Sequence, residues 1–309
     1  MNILFYCTFS NEKEWLQEIK KIFKGQKIYT IKDKPNFNDI EIAIIWNLPD
    51  KYLSKLKNLK VIFSPAAGVD HILNLPSYKN IPIIRLKDPS MAKKISNHVL
   101  SQILNYQLKL TLFQKAQVKK IWYDEMQTLL NNKIQVGILG VGFLGTFVGR
   151  YLKKLNYNVV GFKNSSVKEK TPFPIYIKKK LDQFIKESDI IVCILPATKK
   201  TRHFINSNFL NKMKKNSLLI NVGRGISINE KDLLQHLRTN RYFYASLDVF
   251  QKEPLPKSHP FWRHPNVTVT PHVASLTVIS SAVKLMHKSF KDFKRNGKIK
   301  SDVNLIKGY

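Results

Sequence analysis

Short apolar runs alternate with amphipathic stretches along nearly the whole chain. NILFY (2–6) is followed by a helical pattern with Trp15, Ile19 and Phe23 on one face and Asn11 placed to cap it. KIYTI (27–31), EIAIIW (41–46), a short helix near 50–56, KVIFS (60–64) and IPIIRL (81–86) continue the series. Residues 93–122 read as one long helix with Ile95, Val99, Ile103 and Leu110 forming its apolar stripe. A second series follows with strand patterns at IQVGIL (134–139), NVVGF (158–162), DIIVCIL (189–195), SLLINV (217–222), YASLDVF (244–250) and NVTVTP (266–271). After Ser275 a last helix runs to about Arg295 and stops at Gly297.

Strands alternating with helices imply parallel sheets covered on both faces. The expected fold class is therefore α/β, with two doubly wound parallel-sheet domains. The second, whose first strand runs into the glycine-rich GILGVGFLG (137–145), a turn suited to a dinucleotide, is expected to be a Rossmann dinucleotide-binding domain (98–275) inserted into a flavodoxin-like substrate domain made of residues 1–97 and 276–309.

Length and composition are compatible with this picture. The 309 residues suffice for two cores, and a hydrophobic share of 43% with 24% charged residues is ordinary for a globular chain. No apolar run approaches a membrane span, the N-terminus lacks a signal-peptide pattern, and a cytoplasmic location is expected. Cys7 and Cys193 fall in apolar strand patterns and read as small buried hydrophobes. No Cys/His spacing suggests a metal site.

Charge is the unusual quantity. Fifty-two Lys and Arg against 21 Asp and Glu give a formal +31. The lysines are dispersed in small clusters with no stripe, tail or nucleic-acid motif, which reads as a solvated surface and not a specific nucleic-acid site. Any DNA binding is expected to be weak, blind to sequence and lost steeply as salt rises.

Candidate chemistry begins at GILGVGFLG (137–145), where Gly140, Gly142 and Gly145 join a strand to a helix opening at Phe143 and Leu144. That context suits a dinucleotide: the glycines permit a tight turn, close approach of the pyrophosphate and close helix–strand packing. The next strand ends GFKNSSVK (161–168), with no acid before Glu169. An acid there would accept from the ribose 2′-hydroxyl and repel a 2′-phosphate. Its absence, with Lys163, Asn164 and Ser165 in its place, makes NADPH the expected cofactor and NADH the weaker one.

Three further residues stand at strand ends. Arg224 in NVGRG (221–225) can fork onto a carboxylate. His272 in TPHVAS (270–275) can donate a proton to a carbonyl oxygen, and Glu253 in QKEP (251–254) can orient it if their strands are neighbours. The set points to hydride transfer onto a 2-oxo acid.

The order GxGxxG, xxGRG, DVFxxEP, TPHxA resembles the D-isomer-specific 2-hydroxyacid dehydrogenase family over nearly the whole chain. AAGVDHI (66–72) and LPATKKTRHFIN (195–206) add to the likeness. WNLP (46–49), FSPAAGVD (63–70), RLKDPSM (85–91) and the ending IKGY (306–309) are most similar to its glyoxylate/hydroxypyruvate reductase A group. The resemblance implies that Arg224 binds and polarises the 2-oxo acid, His272 is the proton donor and Glu253 supports it. It implies that the amides of Ala67 and Gly68 hold the substrate carboxylate, with Trp46 and Met91 lining the pocket. On the cofactor side it implies Asp248 at the nicotinamide carboxamide and Pro196 and Thr201 along the ribose and pyrophosphate. It also implies a homodimer across the long helices. One departure is Asn97-His98, where many members carry Ala-Glu at the start of the long helix. Competing expectations are a reductase of another 2-oxo acid, of the D-lactate type, and a non-catalytic NAD(P)-sensing protein of the corepressor kind.

Overall fold

The computed structural model describes residues 1–124, 127–164, 171–304 and 308. It divides into two compact units, Met1–Met91 with Thr277–Tyr309, and Ala92–Leu276. The sequence patterns had set these boundaries at 97/98 and 275/276.

The first unit contains β1 (Asn2–Tyr6), α1 (Glu12–Ile22), β2 (Lys27–Tyr29), β3 (Ile42–Ile45), α2 (Asp50–Leu53), β4 (Val61–Ser64), α3 (Asp70–Leu73) and β5 (Ile83–Arg85). Its five strands are ordered β2-β1-β3-β4-β5 and all pair in parallel. This is the flavodoxin-like order. Successive β1 side chains feed opposite cores: Ile3 and Phe5 pack with Trp15 and Ile19, while Leu4 packs with Ile40 and Ile62 on the other face. A two-residue period with both sets apolar is what a doubly covered parallel strand requires.

The chain then enters α4 (Pro89–Gln107) and α5 (Leu110–Val118). The single helix expected over 93–122 is therefore two helices. Lys109 adopts φ 57° between them, a left-handed conformation that cannot continue the i to i−4 bonding of an α-helix. The Thr111 hydroxyl donates to Asn105 Oδ1 (3.1 Å) across the break, and the Lys109 ammonium sits 4.7 Å from the Tyr106 ring centre. The helix also starts earlier than its apolar stripe. Asp88 caps it by accepting from the Ser90 amide (2.8 Å), and Pro89 occupies the first helical position, where no N–H is needed.

The second unit continues with β6 (Gln135–Leu139), α6 (Phe143–Lys154), β7 (Asn158–Lys163), β8 (Ile175–Ile177), α7 (Leu181–Glu187), β9 (Ile190–Cys193), α8 (Ser207–Leu210), β10 (Ser217–Asn221), α9 (Glu230–Thr239), β11 (Phe243–Leu247) and β12 (Val267–Val269). The seven strands are ordered β12-β11-β10-β9-β6-β7-β8, all parallel. Read from β8, the first six follow the dinucleotide-binding order 3-2-1-4-5-6, and the order reverses between β6 and β9. Sequence patterning missed β8, whose three residues are too short a run to stand out and form a strand by pairing with β7.

The chain closes with α10 (Ile279–Asn296), ended by Gly297 at φ 67°, whose amide donates to Phe293 O (2.8 Å). Its Ala282, Val283, Met286, Phe290 and Phe293 complete the core under α1 in the first unit. No helix among the described residues is long and apolar enough to cross a membrane.

Candidate active site

The glycine turn leaves β6 at the point where the strand order reverses. Gly140 holds φ 107°, and a Cβ there would meet the Ile194 carbonyl oxygen at 2.8 Å. A Cβ on Gly145 would lie 2.1 Å from the Gly140 carbonyl oxygen, so the turn closes only with glycine at both positions. A Cβ on Gly142, by contrast, would face open space. Gly142 caps α6 without a side-chain acceptor, and the first intrahelical bond is from Thr146 N to Gly142 O (2.9 Å). The amides of Phe143, Leu144 and Gly145 thus find no acceptor among the described residues. An unobstructed backbone with unsatisfied amides at a helix start fits a pyrophosphate.

Lys163 closes β7, and Asn164 follows it, exposed. Ser165, with Ser166, Lys168 and Glu169, lies outside the described residues, as does most of IKGY. Beyond β9, the Thr201 hydroxyl donates to Pro196 O (2.6 Å) and accepts from the Thr198 amide (2.9 Å). Thr201 therefore closes the 196–201 turn, a part that motif reading had not assigned to it; Thr198 is its unforeseen partner.

Arg224 follows β10. Its two flanking glycines are there for packing: a Cβ on Gly223 would meet Leu195 O at 2.7 Å, and one on Gly225 would meet the Phe250 carbonyl carbon at 1.9 Å. The guanidinium Nη1 donates to Gly223 O (3.0 Å), while the Arg224 carbonyl accepts from Ser227 Oγ (2.7 Å).

His272 and Glu253 follow the neighbouring strands β12 and β11, where Leu247 pairs with Val269. The two side chains meet, with His272 Nδ1 2.7 Å from Glu253 Oε2. Glu253 Oε1 accepts from the Phe250 amide (2.9 Å), which fixes the carboxylate plane. Burial pushes the Glu253 carboxyl up, but the hydrogen bonds from His272 and Phe250 and the positive charges of His272 and Arg224 outweigh it. The net direction is down, so the carboxylate stays ionised. With Nδ1 donating to that carboxylate, Nε2 is the ring nitrogen left to serve a substrate.

Beneath this pair lies Asp248, 1% exposed, immediately after β11. Its carboxylate accepts from Thr270 Oγ1 (2.6 Å), Val273 N (2.9 Å) and Ala274 N (2.9 Å), and its carbonyl accepts from His272 N (2.8 Å). One residue thus grips both sides of His272, which itself holds φ 55°. Its role toward a carboxamide, implied by resemblance, is accompanied by this anchoring role, which sequence spacing did not reveal. His98 of α4 lies within reach of the Asp248 charge and has its Nε2 buried without a partner among the described residues. Burial pushes His98 down, and Asp248 partly opposes this. Asn97 accepts from the Tyr151 hydroxyl of α6 (3.0 Å), so the departure at 97–98 ties α4 to the helix that follows the glycine turn.

In the first unit, Ser64 at the end of β4 donates to the carbonyls of Ala66 (3.1 Å) and Gly68 (3.2 Å). The carbonyls turn inward, and the amides of Ala67 and Gly68 find no acceptor among the described residues. Trp46, at the end of the adjacent β3, is half-buried, and Met91 is buried with its sulfur 3.8 Å from Thr277 Oγ1.

A dinucleotide sheet whose strand ends carry a glutamate-backed histidine and an arginine defines a nicotinamide-dependent oxidoreductase. Comparison with known proteins makes the class specific. The family described as D-isomer specific 2-hydroxyacid dehydrogenase, NAD binding domain, matches residues 100–274. The chain belongs to this family. It is 29% identical over 317 residues to the glyoxylate/hydroxypyruvate reductase A of Yersinia enterocolitica, covering all of both chains. It is 32% identical over 294 residues to that of Serratia proteamaculans, covering 92% of each. Among solved structures it is similar to the NADPH-dependent glyoxylate/hydroxypyruvate reductase of Sinorhizobium meliloti in complex with NADP and sulfate. That match has a TM-score of 0.93 and 29% identity, covering 100% of this chain and 99% of that one. A D-isomer specific 2-hydroxyacid dehydrogenase of Xanthobacter autotrophicus, in complex with NADPH and MES, also superposes at 0.93, with 26% identity and the same coverage.

The Asp248 grip gives a stability prediction. Asp248→Ala leaves two amides and a hydroxyl without their buried acceptor, each costing about 1–3 kcal/mol. Urea unfolding is expected to show a loss of at least about 2 kcal/mol, with Asp248→Asn losing less because one carbonyl oxygen remains. A loss in Asp248→Ala below about 0.5 kcal/mol, the scale of ordinary surface substitutions, would contradict the assignment.

Proposed function

We propose that the protein is an NADPH-dependent reductase that converts glyoxylate to glycolate and hydroxypyruvate to D-glycerate. The observation that carries this is the 2.7 Å pair of His272 and Glu253 with the Arg224 charge acting on it, at the strand ends of a dinucleotide sheet. The similar reductases named above support the choice of substrates.

Arg224 binds the 2-oxo acid and draws electron density toward the carbonyl oxygen. When bound, NADPH supplies the hydride that reduces the carbonyl carbon. His272 Nε2 gives its proton to the oxygen as negative charge develops there, and Glu253 stabilises the imidazolium before that transfer and fixes its direction. In the first unit, the free amides of Ala67 and Gly68 serve the substrate carboxylate, with Trp46 and Met91 as apolar wall. For the cofactor, Gly140, Gly142, Phe143, Leu144 and Gly145 take the pyrophosphate. Asp248 serves the nicotinamide carboxamide, Pro196 and Thr201 lie along the ribose and pyrophosphate, and Lys163, Asn164 and Ser165 receive the 2′-phosphate.

A homodimer is part of the same reading. Leu110, Val118, Trp122, Leu129 and Leu130 are all exposed around α5 and the segment after it, Trp122 at 87% and Val118 at 84%. Exposed apolar side chains in this number suit burial against a second copy of the chain. Sedimentation is expected to give a dimer that Trp122→Glu weakens; a monomeric wild type at micromolar concentration would rule this out.

Arg224→Ala and His272→Ala are each expected to lower kcat by about a hundredfold or more, the scale of losing one acid–base group, while NADPH still quenches protein fluorescence. Near-normal turnover in His272→Ala at neutral pH removes its role as proton donor.

Cofactor choice rests on Lys163. A charge-assisted bond to the 2′-phosphate is worth about 1.5–3 kcal/mol, so kcat/KM is expected to favour NADPH roughly tenfold or more. Lys163→Asp adds a ribose acceptor and a like charge against the phosphate, and is expected to reverse the ratio. Equal use of NADH by the wild type, or an unchanged ratio in the variant, defeats the NADPH assignment and leaves the catalytic one standing.

A further inference from the structure

Trp46 is held on two sides by rings from separate elements. Phe9, in the loop after β1, stacks on it with ring centres 5.5 Å apart and planes 27° apart. Phe9 in turn leans on Trp15 (5.8 Å), which is 2% exposed in the core. The other contact is closer: the His71 ring centre lies 4.0 Å from that of Trp46, tilted by 50°. His71 Nε2 lies 3.4 Å from the carbonyl oxygen of Ile45, the residue before Trp46. His71 is also the second residue of α3, which begins where the Ala66–Val69 turn ends. The imidazole therefore spans from the turn that presents the Ala67 and Gly68 amides to the indole on the adjacent strand.

We propose that His71 is a specificity-determining positioning residue that clamps the Trp46 indole and so limits the accepted 2-oxo acid to a small one. This rests on the substrate-wall role proposed for Trp46. Phe9 and His71 both pack against the half-buried indole and restrict the rotamers it can take. A wall so restricted excludes a branched side chain, whereas glyoxylate and hydroxypyruvate never reach it with bulk. Without the imidazole, one face of the indole loses its packing, and the ring can turn toward the vacated space. The carboxylate turn and the reacting groups remain, so the loss is expected in discrimination and not in chemistry.

The experiment measures kcat and KM for glyoxylate and for the branched 2-oxoisocaproate at saturating NADPH. It uses the wild type, His71→Ala, His71→Asn and His71→Phe. Tryptophan emission of each is recorded against the same protein carrying Trp46→Phe, which isolates the Trp46 signal. In His71→Ala and His71→Asn, the kcat/KM ratio of 2-oxoisocaproate to glyoxylate is expected to rise at least about tenfold, mainly through a lower KM for the branched acid, the scale of rejecting one or two methylenes. The Trp46 emission should shift to the red in both. His71→Phe, which restores a ring against the indole, should return both readouts toward wild type. If His71→Ala fails to fold, His71→Asn carries the same test. An unchanged ratio, an unshifted Trp46 emission, or a Phe variant indistinguishable from Ala overturns the proposal. If the wild type reduces neither acid, the proposed function falls, and this inference with it.

Discussion

The carboxylate of Asp248 is the constraint on which the placement of His272 in the second unit depends. It is buried at 1% exposure, and its two oxygens take three donors from the segment 270–274, while its own carbonyl takes the His272 amide. A buried carboxylate is tolerable only when its lone pairs are filled, and a loop segment is well placed only when its amides are. Each satisfies the other. The left-handed backbone of His272, uncommon for a residue with a Cβ, is held by this grip.

Glu253 then acts on a ring whose backbone is already fixed. One carboxylate oxygen is committed to the Phe250 amide and the other to His272 Nδ1, so orientation runs from the end of β11 through two hydrogen bonds to Nε2. Arg224 reaches the same neighbourhood because Gly225 lets its turn pack against the Phe250 carbonyl with no room for a Cβ. Three strand ends, β10, β11 and β12, thus converge through contacts centred on residues 248–253. The glycine turn after β6 obeys a different rule: the amides of Phe143, Leu144 and Gly145 have no acceptor among the described residues, and a Cβ on Gly142 would face open space. The unit is thus rigid around His272 and unfilled at the glycine turn, the two properties that the proposed chemistry needs.

Both sheets were legible in the order of apolar runs because a parallel strand covered on two faces must be apolar at successive positions. The positions of the glycine turn and of Arg224, Glu253 and His272 after their strands were legible in the same way, from the apolar runs that precede them. The helix break at Lys109 was not legible, since the stripe Ile95, Val99, Ile103 continues to Leu110 without a Gly or Pro to interrupt it. Strand β8 was missed because three residues carry too little periodicity, and the start of α4 was set too late because Asp88-Pro89-Ser90 signals a cap and not an apolar face.

What the sequence by itself determined is therefore the class of most elements, the parallel architecture and the chemical inventory. These follow from local periodicity, turn geometry and side-chain type, all properties of short windows. What only the tertiary structure decided is which distant groups meet: Asp248 with the 270–274 segment, Asn97 with Tyr151, and His71 with Trp46. Asp248 reaches that loop, Asn97 reaches Tyr151 and His71 reaches Trp46 across gaps of about 22 to 54 residues. Such contacts depend on strand order and register, and no window of sequence encodes them, because it is the sheet that brings the ends of separate strands to one edge.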